Sequence, residues 1–412
     1  MRHALLVCLL ASLIPVWARE LKPMPGTAIP DLASALAQAR DGDVVLVTPG
    51  IWTGNFRIEK TLTLRGSGGH LDGAGKGTVL TILAPGVVVE NLKISGSGNE
   101  LRAPDCGIYI APEAIGTIVR NNHIQDSCFG IWVHKTQGVR LEGNQIQGAT
   151  VGHTSNRGNG IHLFDASELV IKGNHIDGGR DGIYISATED SLIEANTCQN
   201  LRYGIHYMYS YDNRLIQNLS ENNIIGFALM ESRNLIVIGN RALHNTRQGL
   251  LFRDAQYCTI RENILEGNGE GLFFFSSTDN LIVENRVIGN KIGAKIWAGS
   301  YDNDVRANAF IGNGKQVFYV GTSDLEWGVA GPGNYYSDYL GWDQDGDGLG
   351  DRPYRVENFS GKMVYRYPSS AILMRSPAVE LLSYLERALP IFRVPTVVDR
   401  APAIKDDKNE ND

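Results

Sequence analysis

Nothing in the 412-residue chain is long and apolar enough to cross a membrane as a helix. Its longest apolar run, Ala4 to Val16, covers about 13 residues and sits at the start, behind Arg2. No CxxC pair occurs among the five cysteines, which excludes a zinc knuckle and a thioredoxin-like redox motif. There is no basic run either, and the formal charge is -7, so no nucleic-acid partner is expected. Between Gly107 and Val320 no stretch has the length or the 3.6-residue period of a helix. Methionine is scarce as well: only Met208 and Met230 fall in that body.

The N-terminal run ends in Val16-Trp17-Ala18, with small or short residues where a signal peptidase reads, which predicts a cleaved secretory leader ending near Ala18. Cys8 leaves with it. Cys106, Cys128, Cys198 and Cys258 remain, and the first two lie 22 residues apart. On adjacent turns of a repeat of that length they could form a disulfide, or they could be two buried thiols.

What the chain does have is repetition. An asparagine recurs at Asn122, Asn144, Asn174, Asn196, Asn218, Asn240, Asn263, Asn285 and Asn308, at steps of 22, 30, 22, 22, 22, 23, 22 and 23. A glycine column from Gly107 and Gly130 through Gly204 and Gly226 to Gly293 keeps the same period. Each unit holds short β-rich pieces between turn residues, which predicts an all-β, right-handed parallel β-helix with one coil of about 22 residues per unit. The asparagines are then a structural ladder. Residues 19–106 read as an N-terminal cap, with a helix near Ala28 to Gln38, and irregular first coils. The regular helix spans 107–320, an Asp/Gly-rich closing segment 321–368, an amphipathic docking segment 369–398 and a disordered tail 399–412.

The strand after each glycine sets the orientation. Residues one and three past it are large and apolar and face inward, so residues two and four past it face out. The outer pairs run from Tyr109/Ala111 and Trp132/His134 through His162/Phe164, His206/Met208 and Ala228/Met230 to Lys295/Trp297. So apolar an outer face is expected to be covered, by a partner or by the chain itself. Met208 and Met230 occupy equivalent positions on consecutive coils, about 4.8 Å apart along the stack, with His206 about 7 Å along the strand. Two thioethers and an imidazole suit copper, as Cu(I), better than zinc or calcium. His162 and His134 are lower-ranked ligands on nearby coils. The bland alternative is that the methionines fill gaps in an apolar patch.

Carbohydrate-active β-helices need converging carboxylates, and the outer columns hold no Asp or Glu; Asp165, Asp181 and Asp254 fall near coil edges in different registers. That alternative, of uronate epimerase or lyase type, therefore ranks second, and a purely structural adaptor third. The long step inserts Ala149 to Asn159, a polar loop with His153 and Arg157 that either binds something or is a tolerated insertion. Asp343, Asp345, Asp347 and Asp351 alternate around glycines like the first part of a calcium loop, although Tyr354 stands where the bidentate glutamate belongs. They are either a structural calcium site or an Asp-Gly turn cluster.

GIHYMYS at Gly204 to Ser210, the periodic body and NYYSDYLGWDQDGDGLGDRPY at Asn334 to Tyr354 together resemble the NosD family of periplasmic maturation factors for nitrous oxide reductase. The similarity runs from about Ile29 to Val398. It implies a periplasmic protein without enzymatic turnover, seated on the permease and ATPase subunits of an ABC transporter. It further implies that copper passes from a periplasmic carrier to the reductase, and that the membrane is reached only through the partner, by the C-terminal apolar segment. The resemblance supplies no metal motif, so His206, Met208 and Met230 rest on the residues alone.

Overall fold

The computed structural model describes residues 18–297, 299–356, 363, 367–373, 376–388 and 395–406. The expected leader before Ala18 and the last residues of the tail lie outside them.

The chain winds into a right-handed parallel β-helix. Three parallel sheets of 13, 12 and 13 strands run its length, each strand pairing with its equivalents one coil before and after. Ile205 thus lies between Ile183 and Phe227. Inward residues of all three sheets form one continuous core from Leu21 to Val397. The N-terminal end is closed by the helix Leu32–Gln38, whose N-cap Asp31 accepts a hydrogen bond from the Ser34 N–H and whose Leu32, Ala35 and Leu36 are buried.

The 12-stranded sheet, called the front sheet here, carries the longer strands that follow each glycine, such as Tyr203–Met208, Ile225–Met230 and Gln248–Arg253. The glycines are needed because the corner is crowded. A Cβ on Gly226 would lie 2.5 Å from the Gly249 carbonyl oxygen, and one on Gly204 would lie 2.1 Å from Ser220 Oγ. Core volume is redistributed in these coils: the front sheet turns Tyr207 and Phe227 inward where the opposing strands supply only Ser220 and Ala242.

The asparagine column is a buried hydrogen-bonded ladder. Asn196 Nδ2 donates to Asn218 Oδ1, Asn218 Nδ2 to Asn240 Oδ1, and each amide also serves a carbonyl of the coil below. It continues past Asn308 to Asn334, whose N–H and Nδ2 both donate to the Asp399 carboxylate at 2.8 Å. A second ladder, Asn223, Asn245, Asn268, Asn290 and Asn313, occupies the next corner.

Asp399 is therefore the terminal acceptor of the ladder, which corrects the expectation of a disordered tail from that residue. Val397–Asp399 is the middle strand of a three-stranded sheet between Leu325–Trp327 and Tyr354–Arg355. Further on, Asp406 holds Arg286 at 2.8 Å. Two carboxylates of this polar stretch thus serve a buried asparagine and a guanidinium.

The disulfide does not form. Cys106 pairs in register with Phe129, because the coil there is 23 residues long and not 22, and both Cys106 and Cys128 are free thiols. Burial pushes the Cys128 thiol up to about 11 and Cys106 higher still, which disfavours the reactive thiolate at both. The inserted loop is tied to itself: Arg157 donates to the Thr150 and Gly152 carbonyls, and His153 Nδ1 meets Ser155 Oγ at 2.7 Å. The C-terminal amphipathic segment contributes the helix Pro377–Ala388, on which Leu381 and Tyr384 are exposed. No helix among the described residues is long and apolar enough to cross a membrane.

Candidate metal centre

The outer face of the front sheet bears a second apolar cluster, separate from the core: Ile225, Ala228, Met230 and Leu251 are buried, with Tyr203, Met208 and Phe273 packed against them. Met208 and Met230 are register partners within it, so two thioethers are brought side by side. His206 is two residues earlier on the same strand and faces the same way; its own neighbour on the next coil is Ala228.

His206 is the most elaborately held side chain of this face. Its Nδ1 is 3.0 Å from Asp181 Oδ2, and the same carboxylate receives Arg202 through Nε at 2.8 Å and Nη2 at 2.6 Å. Asp181 is almost fully buried. Burial works against its charge, but the hydrogen bonds and charges of His206 and Arg202 outweigh it and keep its pKa below the usual carboxylate value. An ionised carboxylate only accepts, so Nδ1 carries the proton and donates. Nε2, the nitrogen that carries the lone pair in a neutral imidazole of this tautomer, is buried and without a hydrogen-bond partner among the described residues. Tyr203 and Tyr184 wall the ring edge-on at 4.6 and 5.1 Å, and the Arg202 guanidinium lies 4.3 Å over Tyr203.

The lower-ranked histidines do not join this centre. His162 is two coils away through Tyr184, stacked on Trp132 at 4.2 Å with Nδ1 3.1 Å from Asn159 Nδ2. Burial pushes its imidazole down to about 4, so it is neutral. His134 lies three coils from Met208 in its own column, and its Nδ1 meets the Tyr109 hydroxyl at 2.6 Å. At about 4.8 Å per coil neither can share an ion with His206 or the methionines.

The two outer columns hold no Asp or Glu, but the outer face does carry carboxylates on a third. The glycine bends the chain so that the residue before it also points outward, and that third column contains Asn159, Asp181, Tyr203, Gln248 and Glu270. Asp181 and Glu270 are four coils apart, too far to converge on one substrate atom. Glu270 is bonded to Lys295 Nζ and Gln248 Nε2. A search for a period in the residue before each glycine would have found this column.

At the far end, Asp343, Asp345 and Asp347 bring carboxylate oxygens within 4.8 Å of one another. Asp343 accepts from the Gly346 and Gly348 N–H, Asp345 from Asp347 and Asp347 from Leu349. Asp351 stands apart and accepts from the Gln344 N–H. These oxygens are engaged by the loop's own amides, as in an Asp-Gly turn cluster.

The sequence profile of a family described as periplasmic copper-binding protein (NosD) matches residues 148–341. A probable ABC transporter binding protein NosD of Pseudomonas aeruginosa is 37% identical over 371 residues, covering 86% of this chain and 87% of the relative. Its namesake from Stutzerimonas stutzeri is 37% identical over 395 residues, covering 92% and 91%. Among solved structures, the Dettilon tailspike protein (TM-score 0.50, 15% identity, 73% of this chain and 68% of that one) and the Streptococcus pneumoniae adhesin PfbA (0.50, 10%, 74% and 92%) share the fold.

Proposed function

The chain belongs to the NosD family of periplasmic copper-binding proteins, and on that premise we propose that it is the periplasmic partner of an ABC transporter that binds Cu(I) transiently and assists its delivery to nitrous oxide reductase. In this reading it turns over no substrate. Copper is cargo, received from a periplasmic carrier at His206, Met208 and Met230 and released for assembly of the reductase's copper centre. Permease and ATPase subunits hold the solenoid at the membrane.

One observation carries the choice of site: His206 is fixed through Nδ1 by a buried Asp181, leaving a buried Nε2 with no partner among the described residues. That is how metal-binding histidines are commonly oriented, with a carboxylate behind the ring. The paired thioethers of Met208 and Met230 add soft donors that favour Cu(I). Asp181 and Arg202 are positioning residues. So few ligands give weak, exchangeable binding, which suits transfer.

The competing reading is that the methionines only pack, since both lie in the apolar cluster with Ile225 and Leu251. Leucine separates the two because it keeps the volume and removes the sulfur. In Cu(I) competition against a chromophoric chelator, Met208→Leu with Met230→Leu, and separately His206→Phe, are expected to weaken binding at least about tenfold with the melting temperature of the leucine variant unchanged. Undiminished affinity in both variants removes the site.

A further inference from the structure

Beside the methionine pair, and extending four coils away from His206, the front face opens into a groove of about 740 Å³. Its floor is apolar: Ile225, Met230, Leu251, Phe273, Phe275 and Ile292 line it. Its edges are cationic. Arg247 and Lys291 are exposed on the corner side and Arg253 is exposed on the opposite side, loosely paired with its neighbour Asp254 at 3.8 Å. An apolar floor between basic edges is an unexpected surface for a chain of formal charge -7.

The polar groups inside the groove are mostly satisfied already. Glu270 takes Lys295 Nζ and Gln248 Nε2, which fixes the Gln248 amide and leaves its Oε1 buried without a donor among the described residues. Sugar recognition asks for a set of polar side chains free to meet hydroxyls, and this groove offers alkyl and phenyl surface instead. A polypeptide segment fits better. Apolar side chains would fill the floor, a backbone or side-chain N–H would satisfy Gln248 Oε1, and carboxylates would meet the two rims.

We propose that this groove is a docking site for an acidic, apolar-anchored polypeptide segment of a partner protein. The proposal does not require that copper binds at His206, and it is tested on metal-free protein. A phage-displayed random nonapeptide library is panned against the full chain, with the charge-reversed variant Arg247→Glu, Arg253→Glu, Lys291→Glu as counter-target. The survivors are expected to combine Asp or Glu with Trp, Phe or Leu. Synthesised with a fluorophore, they should bind the native chain by anisotropy at least about tenfold more tightly than the variant, by a margin that narrows as salt is raised. The variant alters only exposed side chains and should melt as the native protein does. Leu251→Asp, which puts a charge in the floor, should abolish binding even if it costs stability.

Three results overturn the proposal. One is no enrichment, or enrichment of neutral or basic peptides. Another is equal affinity for the charge-reversed variant. The third is saturable binding of an oligouronate, or a dimer in sedimentation that the variant dissolves, either one without acidic peptides binding; these assign the groove to a carbohydrate or to a second copy of the chain.

Discussion

Tyr207 occupies an inward position that is Ile185 on the coil before it and Leu229 on the coil after. It is fully buried, and its hydroxyl has no hydrogen-bond partner among the described residues. Leaving such a group unsatisfied costs more than one hydrogen bond contributes, so Tyr207→Phe is expected to stabilise the protein by about 1 kcal/mol or more in urea denaturation. A loss of stability would mean that the hydroxyl has a partner. His162 makes the pH prediction. Burial lowers its pKa to about 4 from 6.5, so between those values the unfolded chain binds a proton that the folded chain excludes. The stability it carries is whole above pH 6.5 and is lost as pH falls towards 4, by up to roughly 3 kcal/mol. His162→Phe should reduce the drop in stability between pH 7 and 4 by that order, and identical pH profiles would show that the ring is free to protonate.

At the scale of elements, the ladder depends on how it ends. Asp399 accepts from Asn334 N–H and Nδ2 and from the Tyr336 hydroxyl, all three buried. Asp399→Ala strands these donors, and a cost of about 3 kcal/mol or more is expected, read as a lower melting temperature and faster proteolysis at the C-terminal end. An unchanged melting temperature would mean that the terminal strand is dispensable. The asparagine column up to Asn308 was legible because its residue type never changes and only one of its steps, from Asn144 to Asn174, departs from 22 or 23. Its continuation was not, because the next steps, to Asn334 and then to Asp399, change both the interval and the residue type. Hydrogen bonding ignores sequence distance, and a carboxylate accepts from an amide as well as another amide does. The same reason hid the 397–399 strand, three residues long and paired only with segments far away in the chain.

For the molecule as a whole, the proposed function puts copper on the front sheet and the attachment on the C-terminal helix. Leu381 and Tyr384 are exposed on Pro377–Ala388. Leu381→Asp with Tyr384→Asp is expected to abolish co-purification with detergent-solubilised permease and ATPase subunits while the solenoid melts as before. Retained association would place the contact elsewhere. This separates the attachment from the groove and from the methionine pair, which lie on a different surface element.

By itself the sequence determined the coil, its period, the inward columns and the equivalence of Met208 with Met230, because a repeat of fixed length writes stacking directly into spacing. Tertiary structure decided what the spacing cannot encode: that Asp181 turns outward beside a glycine corner and takes the histidine, that Cys106 faces Phe129 and not Cys128, and that Asp399 closes the ladder. These are outcomes of bends at corners and of contacts between residues 21 to 65 positions apart. At such places a single inserted residue, or one glycine without a Cβ, redirects a side chain while leaving the repeat intact.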